Sequence, residues 1–150
     1  MLLEELGDAL VSGLLRLLQS PDPDIRGTCI GLLSVRRPHE AHVAAAIAPL
    51  IRDAHGYVML TATDKLAEFP LSMIEPFLAD AYQMFHDHLD AEDVVPSIAA
   101  MRLCLRSDFD SYKDALLPSL LAMLDTHEGF EQFLLLMTLQ ELGLAEEDKG

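Results

Sequence analysis

The chain has 150 residues, of which 51% are hydrophobic, and a formal net charge of −15 at pH 7. This length and apolar content predict one folded domain that needs neither a disulfide nor a metal for stability. The charge argues against an ordinary nucleic-acid binder, because contacts with phosphates need clustered lysine and arginine. Residues 41–51 form the longest stretch without Asp, Glu, Lys or Arg, which is too short to span a membrane.

Helical periodicity dominates the chain, and no strand-like alternation of apolar and polar residues stands out. The pattern predicts eight helices, over residues 2–18, 24–35, 39–52, 57–68, 72–86, 94–105, 108–124 and 130–142. Proline- and aspartate-rich segments such as 20–24 separate them. In the first helix we expect one apolar stripe formed by Leu3, Leu6, Leu10, Leu14, Leu17 and Leu18. In the second we expect four inward-facing residues, Ile25, Cys29, Leu32 and Leu33.

An internal repeat relates residues 14–33 to residues 47–66 at an offset of 33 residues. Apolar residues coincide at each compared position of the two segments, for example Leu14 with Ile47 and Cys29 with Ala62. Two further helix pairs follow at looser spacing. A period in the thirties with two helices per unit is typical of an α-solenoid, in which each pair buries its apolar face against the next.

Residues 14–26 resemble a HEAT repeat: a leucine-rich helix, the Asp/Pro turn of residues 20–24, then the aliphatic–arginine pair Ile25-Arg26. The resemblance is strong over residues 14–33 and fair over residues 47–66, where Met59 takes the arginine position. Beyond Pro70 only the pattern of helix pairs continues. It implies an all-α fold of about eight helices in four antiparallel pairs, stacked as a short HEAT-like α-solenoid. An irregular helical bundle is the alternative. We expect a single domain over residues 1–144 and a flexible acidic tail over 145–150.

The two cysteines, Cys29 and Cys104, lie in apolar helical stretches without metal-ligand spacing. They are expected to be buried core thiols, and they favour a reducing, cytoplasmic location. The sequence has no glycine-rich phosphate loop and no nucleophile elbow. We therefore predict a protein that is not an enzyme and has no cofactor.

Acidity is concentrated in the second half of the chain. Residues 1–75 contain six basic and ten acidic side chains, whereas residues 76–150 contain four basic and fifteen acidic ones, a net charge of −11. We predict a binding surface for a basic protein partner, with no role for nucleic acid or a membrane. Its candidate residues are Asp87, Asp90, Glu92, Asp93, Asp108, Asp110, Tyr112 and Asp114. The alternative interpretation is that the acids only keep an apolar solenoid soluble.

The candidate residues fall into two groups, one between helices five and six and one at the start of helix seven. Consecutive connections in antiparallel pairs lie at opposite ends of the intervening helix, so the groups form one surface only if acids spread along a face.

Other functions also fit the pattern. His86, His88 and Asp90 supply ligand types that zinc accepts, which suggests a metal-binding helical-repeat enzyme. The two histidines converge only if the helix ends before them, since residues i and i+2 do not share a helical face. An acidic DNA mimic is a further alternative. The predicted protein-binding surface itself would suit a scaffold, an adaptor or a small immunity-type inhibitor. The last helix is apolar nearly all round, which predicts either complete enclosure or a homodimer contact.

Overall fold

The computed structural model describes residues 2–106 and 110–142, without the side chain of Asp110. These residues form eight α-helices and one 3-10 helix, with no strand among them. The α-helices are α1 (Leu2–Leu17), α2 (Pro23–Arg36), α3 (Ala41–Ile47), α4 (Gly56–Leu66), α5 (Leu71–His88), α6 (Val95–Arg106), α7 (Asp110–Thr126) and α8 (Gly129–Glu141). The 3-10 helix, Ala48–Arg52, follows α3 directly. The all-helical fold predicted from the sequence is confirmed.

The chain divides into two compact units, Met1–Phe77 (the N-terminal unit) and Leu78–Gly150 (the C-terminal unit). In the N-terminal unit α1 packs on α2, and α2 packs on α4. In the C-terminal unit α7 packs on α8, and α6 packs on both of them. The second helices of successive pairs thus lie against each other in each unit, as stacked helical pairs require. The single domain over residues 1–144 stays a prediction, and the tail 145–150 lies outside the described residues.

Local chemistry sets where several helices begin and end. Asp22 caps α2, because its Oδ1 accepts the backbone N–H of Asp24 at 2.9 Å, and Pro23 occupies the first helical position. The third predicted helix is divided, with α-helical geometry ending at Ile47 and the 3-10 helix continuing to Arg52. Pro49 accounts for the change, since it has no N–H to donate to the preceding turn.

Four of the apolar pairs that the repeat relates are buried in both copies, and one pair differs in an informative way. Leu14, Leu18, Cys29 and Leu33 are buried, as are their equivalents Ile47, Ile51, Ala62 and Leu66. Ile25, however, is 39% exposed, whereas its equivalent Val58 is 0% exposed. The difference follows from the packing, because α4 is covered by α2, whereas none of the described helices covers the equivalent side of α2.

Two sequence-based expectations about the first pair are therefore wrong. Ile25 and Leu32 were expected to face inward, and both are exposed. The predicted stripe on α1 is divided: Leu14 and Leu18 are buried with Val11, but the other four leucines, Leu3, Leu6, Leu10 and Leu17, are exposed. The periodicity was present in the sequence, but only tertiary packing decides which part of an apolar stripe finds a neighbour.

The two helix pairs of the N-terminal unit are joined by a bidentate ion pair. Arg26, at the start of α2, donates from Nε and Nη2 to the two carboxylate oxygens of Asp53, each at 2.9 Å. Its Nη1 also donates to the carbonyl of Ser20 at 2.8 Å, so one guanidinium links the turns of successive pairs. The equivalent of Arg26 in the second pair is Met59, which is buried and apolar.

Burial by itself would raise the pKa of Asp53, but the hydrogen bonds from Arg26 and from the backbone N–H of His55, with the positive charges of both side chains, hold it below its ordinary value. As the pH falls, the unfolded chain therefore takes up this proton before the folded one does. The stability from Asp53 is fully present above the ordinary aspartate pKa of about 4 and is lost as the pH falls through the lower folded value.

We predict that Asp53→Asn flattens the acid limb of the stability profile. Urea unfolding of both proteins between neutral pH and about pH 3 measures the change. Asp8→Asn, which removes an exposed carboxylate at 3.4 Å from Arg37, is the matched control and should leave the profile nearly parallel to wild type. Identical acid limbs for wild type and Asp53→Asn would contradict the assignment.

The contact between α2 and α4 depends on a glycine. A Cβ built on Gly27 would overlap the ring of Tyr57 on α4, with the ring Cζ at 2.8 Å. Gly31, one turn later on α2, has nothing within 4 Å of the same position. The absence of a side chain at residue 27 therefore lets the tyrosine ring lie against the α2 backbone.

We predict opposite effects for two alanine substitutions on α2. Gly31→Ala should stabilise the fold by about 0.5–1 kcal/mol, the usual gain from replacing a helical glycine. Gly27→Ala should destabilise it, because the Tyr57 ring must leave its position, and adding Tyr57→Ala should remove most of that penalty. Urea unfolding of the double-mutant cycle measures the coupling, and additive effects would contradict it.

Candidate partner-binding surface

The first group of predicted residues lies at the connection between α5 and α6. Asp87 is in the last turn of α5 and accepts a hydrogen bond from Nε2 of Gln83 at 2.8 Å. Asp90, Glu92 and Asp93 follow in the connection, and all four acids are exposed. Asp93 also accepts the backbone N–H of Val95 at 3.1 Å, so it helps to begin α6.

The second group lies at the start of α7. Asp110 is its first residue, Tyr112 is half-buried and Asp114 is exposed. The remaining predicted residue, Asp108, lies outside the described part of the chain.

An aromatic contact links α5 with the start of α7. The rings of Tyr82 and Tyr112 have centroids 5.1 Å apart, and Tyr82 also meets the edge of His86 at 4.7 Å. Tyr82 lies six residues before the end of α5, which is roughly 9 Å along the helix. The start of α7 is therefore packed beside the last third of α5. The first acidic group lies at the end of α5 and the second at the start of α7, so both groups border the same helix. Sequence spacing gave no signal for this contact.

The outer side of α7 combines acidic and apolar residues. Asp114, Leu121 and Asp125 recur at spacings of seven and four residues, so they share one helical face, and all three are exposed. Of these three residues, only Asp114 was predicted from the sequence to contact a partner. The same spacing would have identified the other two, but periodicity alone does not say which face of a helix is left uncovered.

The cations of the C-terminal unit are largely enclosed. Arg102 is 3% exposed and donates from Nη1 to the Thr138 hydroxyl at 2.8 Å and the Leu134 carbonyl at 3.3 Å. Its Nη2 meets both carboxylate oxygens of Glu141, at 3.1 and 3.2 Å. The Nε of Arg106 lies 3.1 Å from the same carboxylate. Two α6 arginines thus converge on one α8 glutamate.

This cluster makes the outer surface more acidic than the sequence suggests. Residues 76–150 have four basic side chains, and two of them pair with Glu141. Lys113 is half-buried on α7, and the fourth, Lys149, lies outside the described residues. The exposed acids at the end of α5 and along α7 therefore have few cations near them to weaken their field.

The metal alternative finds no support in this geometry. Helix α5 continues through His88, so His86 and His88 point about 200° apart rather than converging. The ring of His86 also packs against Tyr82 and Phe85. Within the described residues no group of three or more His, Cys, Asp or Glu side chains is placed to hold a metal ion.

The cysteines offer no reactive thiol. Cys29 and Cys104 are both buried, as predicted. Burial raises the pKa of both thiols, that of Cys104 to about 12, so the nucleophilic thiolate is scarce near neutral pH.

Helix α8 is covered on one side only. Leu134, Leu135 and Thr138 are buried, whereas Phe130, Phe133 and Leu136 are exposed. Complete enclosure, one of the two outcomes predicted from its sequence, is therefore wrong. The predicted homodimer contact through this helix stays a prediction.

No protein-family model, curated protein or solved structure matches the chain. The resemblance to HEAT repeats accordingly stays a prediction from the residues that carry it. Among the described helices none has the length and apolarity needed to cross a bilayer.

We predict that the buried arginine is important for the stability of the C-terminal unit. Arg102→Ala should cost about 3 kcal/mol, because it removes a buried charge pair together with its hydrogen bonds to α8. Arg106→Ala removes a more exposed partner of the same carboxylate and should cost markedly less. Guanidinium unfolding followed by circular dichroism measures both, and equal costs would contradict the role assigned to Arg102.

Proposed function

We propose that this chain is a non-catalytic protein-interaction module whose C-terminal unit presents an acidic surface to a basic protein partner. The observation that carries the proposal is the separation of charge within that unit. Arg102 and Arg106 both pair with Glu141, and Arg102 is buried, while Asp87, Asp90 and Glu92 are exposed. A scaffold, an adaptor or a small immunity-type inhibitor would use such a surface, and a cytoplasmic location suits its buried thiols.

The mixed face of α7 supports a protein rather than a small ligand as partner. Leu121 is exposed between Asp114 and Asp125 on one side of the helix. Interfaces between proteins combine an apolar centre with a polar rim, and a partner with both basic and apolar side chains would satisfy this arrangement. Exposed leucine has no counterpart in a DNA backbone, so this observation favours a protein-binding surface over a DNA mimic.

Charge complementarity would act mainly on association rate and partner choice. Acidic side chains with few neighbouring cations attract a basic partner before contact and reject acidic ones. At physiological ionic strength this attraction extends about 8 Å, and it shortens as salt is added. Binding through this surface should therefore weaken markedly at high salt.

A basic amphipathic peptide of lysine and leucine provides a direct probe. We expect it to bind the full chain at low salt, as measured by fluorescence anisotropy, and the same peptide with glutamate in place of lysine not to bind. The triple variant Asp87→Asn, Asp90→Asn, Glu92→Gln should raise the dissociation constant about tenfold, since each exposed ion pair contributes about 0.5 kcal/mol. Asp93 is left intact because it helps to begin α6.

The matched control neutralises three exposed acids of the N-terminal unit, Glu4→Gln, Glu5→Gln and Glu75→Gln. It changes the net charge by the same amount and should alter binding little. Equal weakening by both triple variants would show that only overall charge matters, which would favour the solubilising interpretation. Affinity capture from a lysate at low and high salt, with identification of what is bound, would then name the natural partner.

A further inference from the structure

One side of the α1–α2 pair is apolar and uncovered. Eight large aliphatic side chains on these two helices are exposed. We call six of them the N-terminal face: Leu3, Leu6, Leu10, Leu17, Ile25 and Leu32. The four leucines of α1 recur at spacings of three, four and seven residues, so they fall within about 60° of one another around the helix. On α2, Ile25 and Leu32 lie opposite the side on which Gly27 meets Tyr57 of α4.

The internal repeat shows what kind of surface this is. Val58, the equivalent of Ile25, is completely buried because α2 packs on α4. The uncovered side of α2 is thus the repeat position that, one pair later, receives another helix. The N-terminal face is therefore suited to a helical occupant.

Its size suits a stable interface. Leaving about half of six leucine or isoleucine side chains in water exposes on the order of 600 Å² of apolar surface, at the top of the range for the largest patch on a monomer. Each partner of a standard protein–protein interface buries about 800 Å². The N-terminal face by itself supplies about three quarters of that area.

The charges that border the N-terminal face could pair with the same charges on a second copy of the chain. Asp24 lies near the start of α2 and Arg36 at its end, both exposed, and each borders the aliphatic side of the helix. They are twelve residues apart, which is about 18 Å along the helix. If two α2 helices pack antiparallel about a two-fold axis, Asp24 of each copy comes level with Arg36 of the other along the helix axis.

We propose that the N-terminal face binds a second copy of this chain, forming a two-fold dimer in which α1 and α2 of each copy face those of the other. A symmetric interface uses the same surface on both copies, so that surface must be complementary to itself. The opposite charges at the two ends of α2 meet that requirement. Residues 2–37 carry five acidic and four basic side chains, so two such surfaces repel each other little. The exposed face of α8 belongs instead to a unit with a net charge of −11, where pairing of two copies would be opposed.

Sedimentation equilibrium of the full chain at low and high micromolar concentration tests the proposal. We expect a mass twice that of the 16.6 kDa chain. Leu32→Glu should weaken the dimer at least tenfold. Leu136→Glu is the matched control, because both leucines are 50% exposed on the second helix of their pair, and it should leave the mass unchanged. Circular dichroism checks that both variants remain folded.

Charge exchange tests the geometry. Asp24→Arg and Arg36→Asp should each weaken the dimer, because each brings like charges together across the two-fold axis, and the double variant should restore it. A monomer at all concentrations, assemblies larger than two, or dissociation by Leu136→Glu but not by Leu32→Glu would overturn the proposal. None of these variants touches the acids probed with the basic peptide, so failure of the dimer and failure of the proposed function are distinguishable.

Discussion

The structure depends on the fact that two antiparallel helices cannot bury their apolar sides within the pair alone. In the N-terminal unit this requirement is met where α2 lies against α4, close enough that Gly27 has no room for a side chain beside Tyr57. In the C-terminal unit it is met by α6, in which every residue from Ser97 to Leu105 is buried. The hydrophobic effect has no preferred direction, so it holds the helix pairs together without fixing their alignment. Specific polar contacts then fix that alignment.

Each unit uses arginine for that alignment, and the two arginines work differently. Arg26 joins the turns of successive pairs near the surface, where Asp53 keeps its charge because the guanidinium and a backbone N–H meet both carboxylate oxygens. Arg102 is enclosed between α6 and α8 and is satisfied by a hydroxyl, a carbonyl and Glu141. Buried ionic groups are stable only when every donor has a partner. The second arrangement also removes positive charge from the surface, which links the packing of the C-terminal unit to its proposed function.

Much of the fold could be predicted because helix periodicity and helix-breaking residues are local properties. Apolar spacing and the Asp/Pro turns located all eight helices within a few residues, and the offset of 33 residues correctly paired Leu18 with Ile51 and Leu33 with Leu66 as buried positions. The candidate surface could be predicted only in part. Exposed acids between α5 and α6 follow from composition, whereas the Tyr82–Tyr112 contact joins residues thirty positions apart and leaves no local pattern.

The sequence by itself determined the helical class, the approximate positions of the helices and the sign of the C-terminal charge, because these depend on residues close together in the chain. Only the tertiary structure decided which side of each stripe is covered, since Ile25 and Val58 occupy the same repeat position and differ only in having a neighbouring helix. It also decided where the charges act. Arg102 and Asp90 each contribute one unit to the formal net charge. Packing, however, buries Arg102 and leaves Asp90 exposed to solvent.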